Sequence, residues 1–160
     1  MTDIKKYQPH HLDHVLTITR DAFGPVYSKL KEDIPSYVYD AFYPNGCMTR
    51  KLAAVEEMCE NDEISMWVAI TDSSISGFVG LSIQAADSMG EIYILAVHPD
   101  FQKRNIGTDL MEFAFDEMRR LGLSIAMVQT GDARGHEPSR AAYSKVGFER
   151  YPVARYFKKL

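Results

Sequence analysis

The sequence predicts an α/β fold, a mixed sheet flanked by helices, and three observations carry that prediction. Apolar residues fall at helical spacing in some segments and in short β-branched runs in others. The two kinds of segment follow one another as β-α-(α)-β-β-β-α-β-α-β-β, without internal repeats. The chain's 160 residues, 46% hydrophobic and 25% charged, suit one globular domain spanning residues 1–160.

The elements follow in order. Ile4 to Tyr7 reads as a short strand, and Pro9 opens a helix carrying Leu12, Val15, Leu16, Ile18, Ala22 and Phe23 on its apolar side. Residues 24–50 are broken by Pro25, Pro35, Pro44 and Gly46 and rich in Tyr27, Tyr37, Tyr39, Phe42 and Tyr43. They read as irregular with short helical pieces. Lys51 to Glu60 reads as helix. Ile64 to Thr71 and Ile75 to Ala85 are strand-like runs joined by Asp72, Ser73 and Ser74, a hairpin composition, and Glu91 to Val97 is the next strand. Asn105 to Leu121 is a long helix ended by Gly122, with Asp109, Glu112 and Asp116 on its solvated face. Leu123 to Thr130 reads as strand and His136 to Val146 as helix stopped at Gly147. Phe148 to Tyr151 with Ala154 to Lys159 reads as a closing strand pair.

Composition narrows function before any motif does. No stretch approaches the roughly 20 apolar residues that span a bilayer, and residues 1–7 lack a signal-peptide core, so the expectation is a cytoplasmic chain without a membrane segment. A net charge of −4 offers no broad basic field to a phosphate backbone and mildly favours cationic amines over nucleic acid. Cys47 and Cys59 make neither a disulfide framework nor a metal spacing. His10, His11 and His14 include an i,i+4 pair but no further ligand at a recognisable spacing, so no metal is expected.

The most informative stretch is Glu91 to Thr108, where an aliphatic strand leads through a Pro-containing loop into a basic, glycine-bearing turn that opens a helix. A helix N-terminus offers unpaired N–H groups and partial positive charge, so Lys103, Arg104 and Gly107 placed there suit a pyrophosphate. The order Gln102-x-Arg104-Asn105-x-Gly107-Thr108 resembles the Gln/Arg-x-x-Gly-x-Gly/Ala signature of the GNAT superfamily, the acetyl-CoA-dependent N-acetyltransferases. Asn105 replaces the first glycine and is the side chain that tolerates the left-handed region best after Gly. Thr108 replaces the last Gly/Ala and adds a small hydroxyl. A second patch, Ser139-Arg140-Ala141-Ala142-Tyr143-Ser144-Lys145-Val146-Gly147-Phe148, resembles the family's Ala-x-x-x-Tyr-x-x-x-Gly-Phe segment.

That resemblance covers most of the chain, weakening over 24–51, and implies a mostly antiparallel central sheet flanked by helices, acetyl-CoA as co-substrate and no metal. It implies cofactor contacts from Leu95, Ala96, Val97, Gln102, Lys103, Arg104, Asn105, Ile106, Gly107, Thr108, His136, Ser139, Arg140 and Tyr143, with the Leu95 backbone N–H as the oxyanion donor. His136 stands where the family often has Asn, and an imidazole there either bonds the pantetheine or stabilises its own loop.

Acetyl transfer to an amine needs a base for the ammonium, a donor for the oxyanion and an acid for the departing thiolate. Glu91, eleven residues before Gln102, is the candidate base, a spacing that resembles family members with a glutamate there; its bland alternative is a surface carboxylate. Tyr143 is the candidate acid, since a phenol stays protonated at neutral pH; its alternative is a core aromatic. The expected function is transfer of acetyl from acetyl-CoA to a primary amine of a small molecule or peptide, in a ternary complex. The alternative is a non-catalytic acyl-CoA binding domain. Family members commonly form homodimers, which makes a homodimer the expectation here.

Overall fold

One sheet of five strands in the order β1-β2-β3-β4-β5 divides the computed structural model, which describes residues 2–160. The strands are β1 Asp3–Lys6, β2 Ser65–Thr71, β3 Ser74–Gln84, β4 Met89–Val97 and β5 Ile125–Val128. Neighbours from β1 to β4 pair antiparallel, and β4 pairs with β5 in parallel. The helices are α1 Leu12–Tyr27, α2 Leu30–Asp33, α3 Ser36–Phe42, α4 Cys47–Glu60, α5 Ile106–Arg120 and α6 Glu137–Lys145.

Each face of the sheet buries its own apolar cluster. On one, Val15 and Ile18 of α1 and Val55 of α4 pack on Met66, Val68, Phe78, Ile94 and Ala96. On the other, Ile106, Leu110, Met111, Ala114 and Met118 of α5 cover Ala69, Val79, Leu81 and Ile92. The α5 positions recur every three to four residues, so one stripe of the helix is removed from water while Asp109, Glu112 and Asp116 stay exposed. Gly77 and Gly90 let this layer close: a Cβ at Gly77 would stand 2.8 Å from the Ala96 carbonyl oxygen, and one at Gly90 would stand 2.6 Å from Met118 Cγ.

The β2–β3 hairpin turns on Asp72 and Ser73, both left-handed with φ of 52° and 63°. Those angles belong to the mirror-image turn whose twist matches paired strands. Gly46 and Gly147, with φ of 89° and 95°, mark the start of α4 and the end of α6.

Three expectations are corrected. Helix α1 passes through Gly24 and Pro25 to Tyr27 instead of ending near Phe23. Pro25 removes one N–H near the end of the helix, and the Tyr27 ring stacks on Phe23 at 5.9 Å, one turn back. Helix α4 begins at Cys47 instead of Lys51, directly after the left-handed Gly46. The closing strand pair over 148–159 is not formed. Residues 148–160 carry no strand, and Tyr151, Val153 and Tyr156 are 83%, 79% and 90% exposed. β5 offers four residues instead of the eight expected, and Pro152 has no N–H to give a ladder. Side chains hold the segment instead: Phe148 against Phe115 at 5.5 Å, Arg150 to Asp132 at 3.1 Å, and Phe157 against Phe42 at 5.6 Å.

Candidate active site

The site begins with a break in the sheet. β4 and β5 pair from Met89↔Ile125 to Ile92↔Val128 and then part, although β4 continues to Val97. At the same point β4 carries a bulge: Gly80 faces Ile94 and Leu81 faces Ile92, leaving Tyr93 as an extra residue, 48% exposed. The bulge resets the alternation. Ile92 faces α5, whereas Ile94, two residues on, faces α1 and α4. Residues 93–97 therefore present a strand edge with no strand beside it on the β5 side, where an extended ligand can add itself.

Glu91 lies at the last pairs before this wedge, with its side chain on the α1/α4 face, since its neighbours Gly90 and Ile92 point at α5. It is half-buried. Burial holds its carboxyl above the usual carboxylate range, and the Gln84 amide, donating to Oε2 at 3.1 Å, pulls it partly back. Tyr143, on α6, packs on the opposite face beside Phe148 and the α5 cluster. Burial raises its phenol above the usual value, opposed by the nearby Ser139 hydroxyl one turn earlier, so it is protonated at neutral pH. The two candidate proton-transfer groups thus lie on opposite faces of the sheet.

Along the wedge edge, Leu95 and Val97 pack toward α5, while Ala96, 5% exposed, points into the α1/α4 core. The Ala96 side chain is a packing residue, and its small size serves the contact with Phe78 opposite it. Beyond Val97, Gln102 folds back to donate to the Val97 carbonyl at 3.1 Å. Lys103 and Asn105 are left-handed, φ 61° and 64°, and Asn105 is the N-cap of α5. Asn at this position thus adopts the backbone conformation that favours glycine.

No side chain caps α5, and its first intrahelical bond runs from Asp109 N–H to Asn105 C=O, 2.9 Å. The N–H groups of Ile106, Gly107 and Thr108 are left without helix partners at the positive end of a 15-residue helix. Buried Ile106 anchors that end, and a Cβ at Gly107 would meet nothing closer than Val97 Cγ2 at 3.7 Å. Arg104 reaches back to Asp72 of the hairpin turn at 2.8 Å and lies over the Phe101 ring.

The loop after β5 forms the far side. His136 Nδ1 shares a hydrogen bond of 2.9 Å with Thr130 Oγ1, and the ring lies against Gly131. Burial lowers its pKa, and the nearby charges of Arg140 and Lys51 lower it further. Arg140 donates to the carbonyls of Gly131 and Ala133 at 2.9 and 3.0 Å, so its guanidinium shapes this loop. Ser139 lies one turn before Tyr143 on α6. Sequence reasoning missed Gln84, Asp72 and Thr130, the groups that hold Glu91, Arg104 and His136. Only the strand register and the turn reveal them, and nothing in their local sequence marks them.

A model of the Acetyltransferase (GNAT) family matches residues 27–148. Mycothiol acetyltransferase of Streptomyces coelicolor is 29% identical over 87 residues, 54% of this chain and 28% of that protein. The Thermomonospora curvata protein of the same name is 27% identical over 92 residues, 58% of this chain and 30% of that protein. The chain thus spans less than a third of the length of these curated relatives. Among solved structures, PaiA N-acetyltransferase from Thermoplasma acidophilum, in complex with coenzyme A, is similar with a TM-score of 0.70. It is 20% identical, with 96% of this chain and 93% of that chain covered. The ribosomal-protein-S18-alanine N-acetyltransferase from Escherichia coli gives 0.67 at 14% identity, over 95% and 80%. Such low identity speaks to the fold. The family match spans most of the chain and both signature segments, and by it the chain belongs to the GNAT acetyltransferase family.

Proposed function

We propose that this chain is an N-acetyltransferase that moves an acetyl group from acetyl-CoA to a primary amine of a small molecule or peptide, by direct attack in a ternary complex. The observation that supports this reading is that Glu91 stands at the last β4–β5 pairs on one face of the sheet while Tyr143 stands on the other face, against the α5 cluster. Two substrates entering from opposite faces would each meet the proton-transfer group it needs.

The residues fit the proposed co-substrate. The uncapped α5 N-terminus with Lys103 and Arg104 ahead of it suits a pyrophosphate, and the open edge at residues 93–97 suits an extended amide-bearing arm. Acetyl-CoA, when bound, supplies a thioester whose acetyl group is activated toward an amine. Glu91, its ionised form disfavoured by burial, is placed to take a proton from the incoming ammonium directly or through a water. In this reading Tyr143 gives a proton to the departing thiolate, and the Leu95 backbone N–H donates to the oxyanion.

The test is incubation of purified protein with acetyl-CoA and a pooled panel of polyamines, aminoglycosides, amino acids and short peptides, read by mass spectrometry. The expected result is an amine gaining one acetyl group. Confirmed acetyl-CoA binding with no product from any amine class would replace this reading with that of an acyl-CoA binding domain.

A further inference from the structure

Lys51 has no role in the site described so far. It lies on α4, half-buried, with its ammonium 4.5 Å from the centre of the Phe23 ring on α1, and it has no carboxylate partner among the described residues. The other cations nearby are engaged. Arg134 pairs with Asp33 and Glu32, Arg140 holds the Gly131 and Ala133 carbonyls, and Arg50 donates to the Phe42 carbonyl at 2.7 Å. An ammonium withdrawn from water and offered only a ring face keeps most of its desolvation cost, and a carboxylate is the partner that offsets it. Burial alone lowers the Lys51 pKa, as expected where no acid stands close enough to raise it.

Its location gives this unmatched charge a use. Phe23 belongs to the α1/α4 face, the face that carries Glu91. The turn bearing His136 is seated on the same end of α1, where a Cβ at Gly135 would collide with the Val26 backbone, and the Lys51 charge is felt at His136. Lys51 therefore stands beside the loop that leaves β5 at the wedge. The chain as a whole is acidic, so a negative group is drawn here by this residue and not by the general field. One ammonium beside a ring matches a singly charged carboxylate in charge, whereas the guanidinium groups that would add a second charge and a bidentate fork for a phosphate dianion are engaged here.

We propose that Lys51 is a specificity-determining residue that binds the carboxylate of the acceptor, making the acceptor an amine that also carries a carboxylate: an amino acid or a short peptide with a free C-terminus. This inference deepens the acetyltransferase reading and rests on it for the identity of the reacting group.

The experiment compares each common amino acid, and a set of dipeptides, with the corresponding C-terminal amides, in acetyl transfer by wild type, Lys51→Met and Lys51→Arg. Binding of the N-acetyl amino acids and their amides to CoA-saturated protein is measured in parallel by calorimetry. Wild type is expected to prefer the best acid over its amide by about tenfold or more in kcat/KM. Lys51→Met should raise KM for the acid by about tenfold with kcat little changed and leave the amide as it was, and Lys51→Arg should restore part of the preference. Equal use of acid and amide by wild type overturns the inference whatever the variants do, and leaves the transfer reading standing. Absence of transfer together with Lys51-dependent binding of the N-acetyl acids keeps the carboxylate site and removes the transferase. Absence of both removes the carboxylate site.

Discussion

Gly135 and Gly24 make a paired experiment on how the His136-bearing turn is seated. Replacing glycine by alanine in a backbone conformation alanine accepts stabilises by about 0.4–1 kcal/mol, because the unfolded chain loses freedom. Neither residue has a positive φ, so that gain applies at both. At Gly24, inside α1, the new methyl would meet nothing within 4 Å. At Gly135 it would stand 3.0 Å from Val26 C and Cα and closer still to the Val26 carbonyl oxygen. All three are backbone atoms, so the turn must move on the order of 1 Å, against an overpacking cost of about 1–3 kcal/mol. The net at Gly135 is a loss of roughly 0.5–2 kcal/mol, and at a domain of this size each kcal/mol moves Tm by about 2–4 °C. Thermal unfolding followed by circular dichroism should place Gly135→Ala about 1–8 °C below wild type and Gly24→Ala about 1–4 °C above it. A Gly135→Ala protein melting at or above wild type would refute the tight seating of this turn on α1, and with it the closeness of His136 to Lys51.

Three further outcomes follow from the site. Glu91→Gln should bind acetyl-CoA as wild type does but transfer about 10²–10⁴-fold more slowly, and the wild-type inflection in kcat/KM, lying above the usual carboxylate pKa, should vanish from its pH profile. A raised folded pKa makes ionisation of Glu91 cost stability, so the Gln variant should gain stability relative to wild type as pH rises through that pKa; a pH-independent difference contradicts the burial argument. Tyr143→Phe keeps the ring contact with Phe148 and should lower kcat more than it weakens acetyl-CoA binding, measured by steady-state kinetics and calorimetry; unchanged kcat removes the acid role. Arg104→Ala should weaken CoA binding about tenfold, with the loss shrinking as salt rises, whereas Asp72→Asn releases the guanidinium and should leave binding equal or tighter; weakening by both points to a structural role for the pair.

What the sequence discloses and what it hides separate along physical lines. The periodicity of Leu110, Ala114 and Met118 and the turn at Asp72 and Ser73 state local preferences that the structure keeps, so α5 and the hairpin are readable. The left-handed Asn105 is readable for the same reason, because its side chain tolerates a backbone state that most resist. The course of 24–50 is not. Gly24 and Pro25 announce a break that the packing of Tyr27 on Phe23 overrides. The tail from Phe148 fails in the other sense: the runs over 148–151 and 154–159 have strand composition, yet residues 148–160 pair with no strand, and composition alone does not say which edges a chain will use. Likewise Glu91 and Tyr143 are legible as residue types, while their placement on opposite faces depends on one extra residue, Tyr93, which shifts the phase of β4.

The parting of β4 and β5 after Val128 also bears on how stability is distributed through the molecule. α5 is fastened to the first four strands through its apolar stripe, whereas the loop over 129–136 is held by β5 before it, by its seat on α1 and by polar contacts, Arg134 with Asp33 and Glu32 and Arg140 with the Gly131 and Ala133 carbonyls. A ligand laid along residues 93–97 would join the two halves, so its binding free energy adds to the cost of opening either one. Amide exchange in the 129–136 loop should therefore slow on ligand binding by more than in α5, whose protection the sheet already supplies.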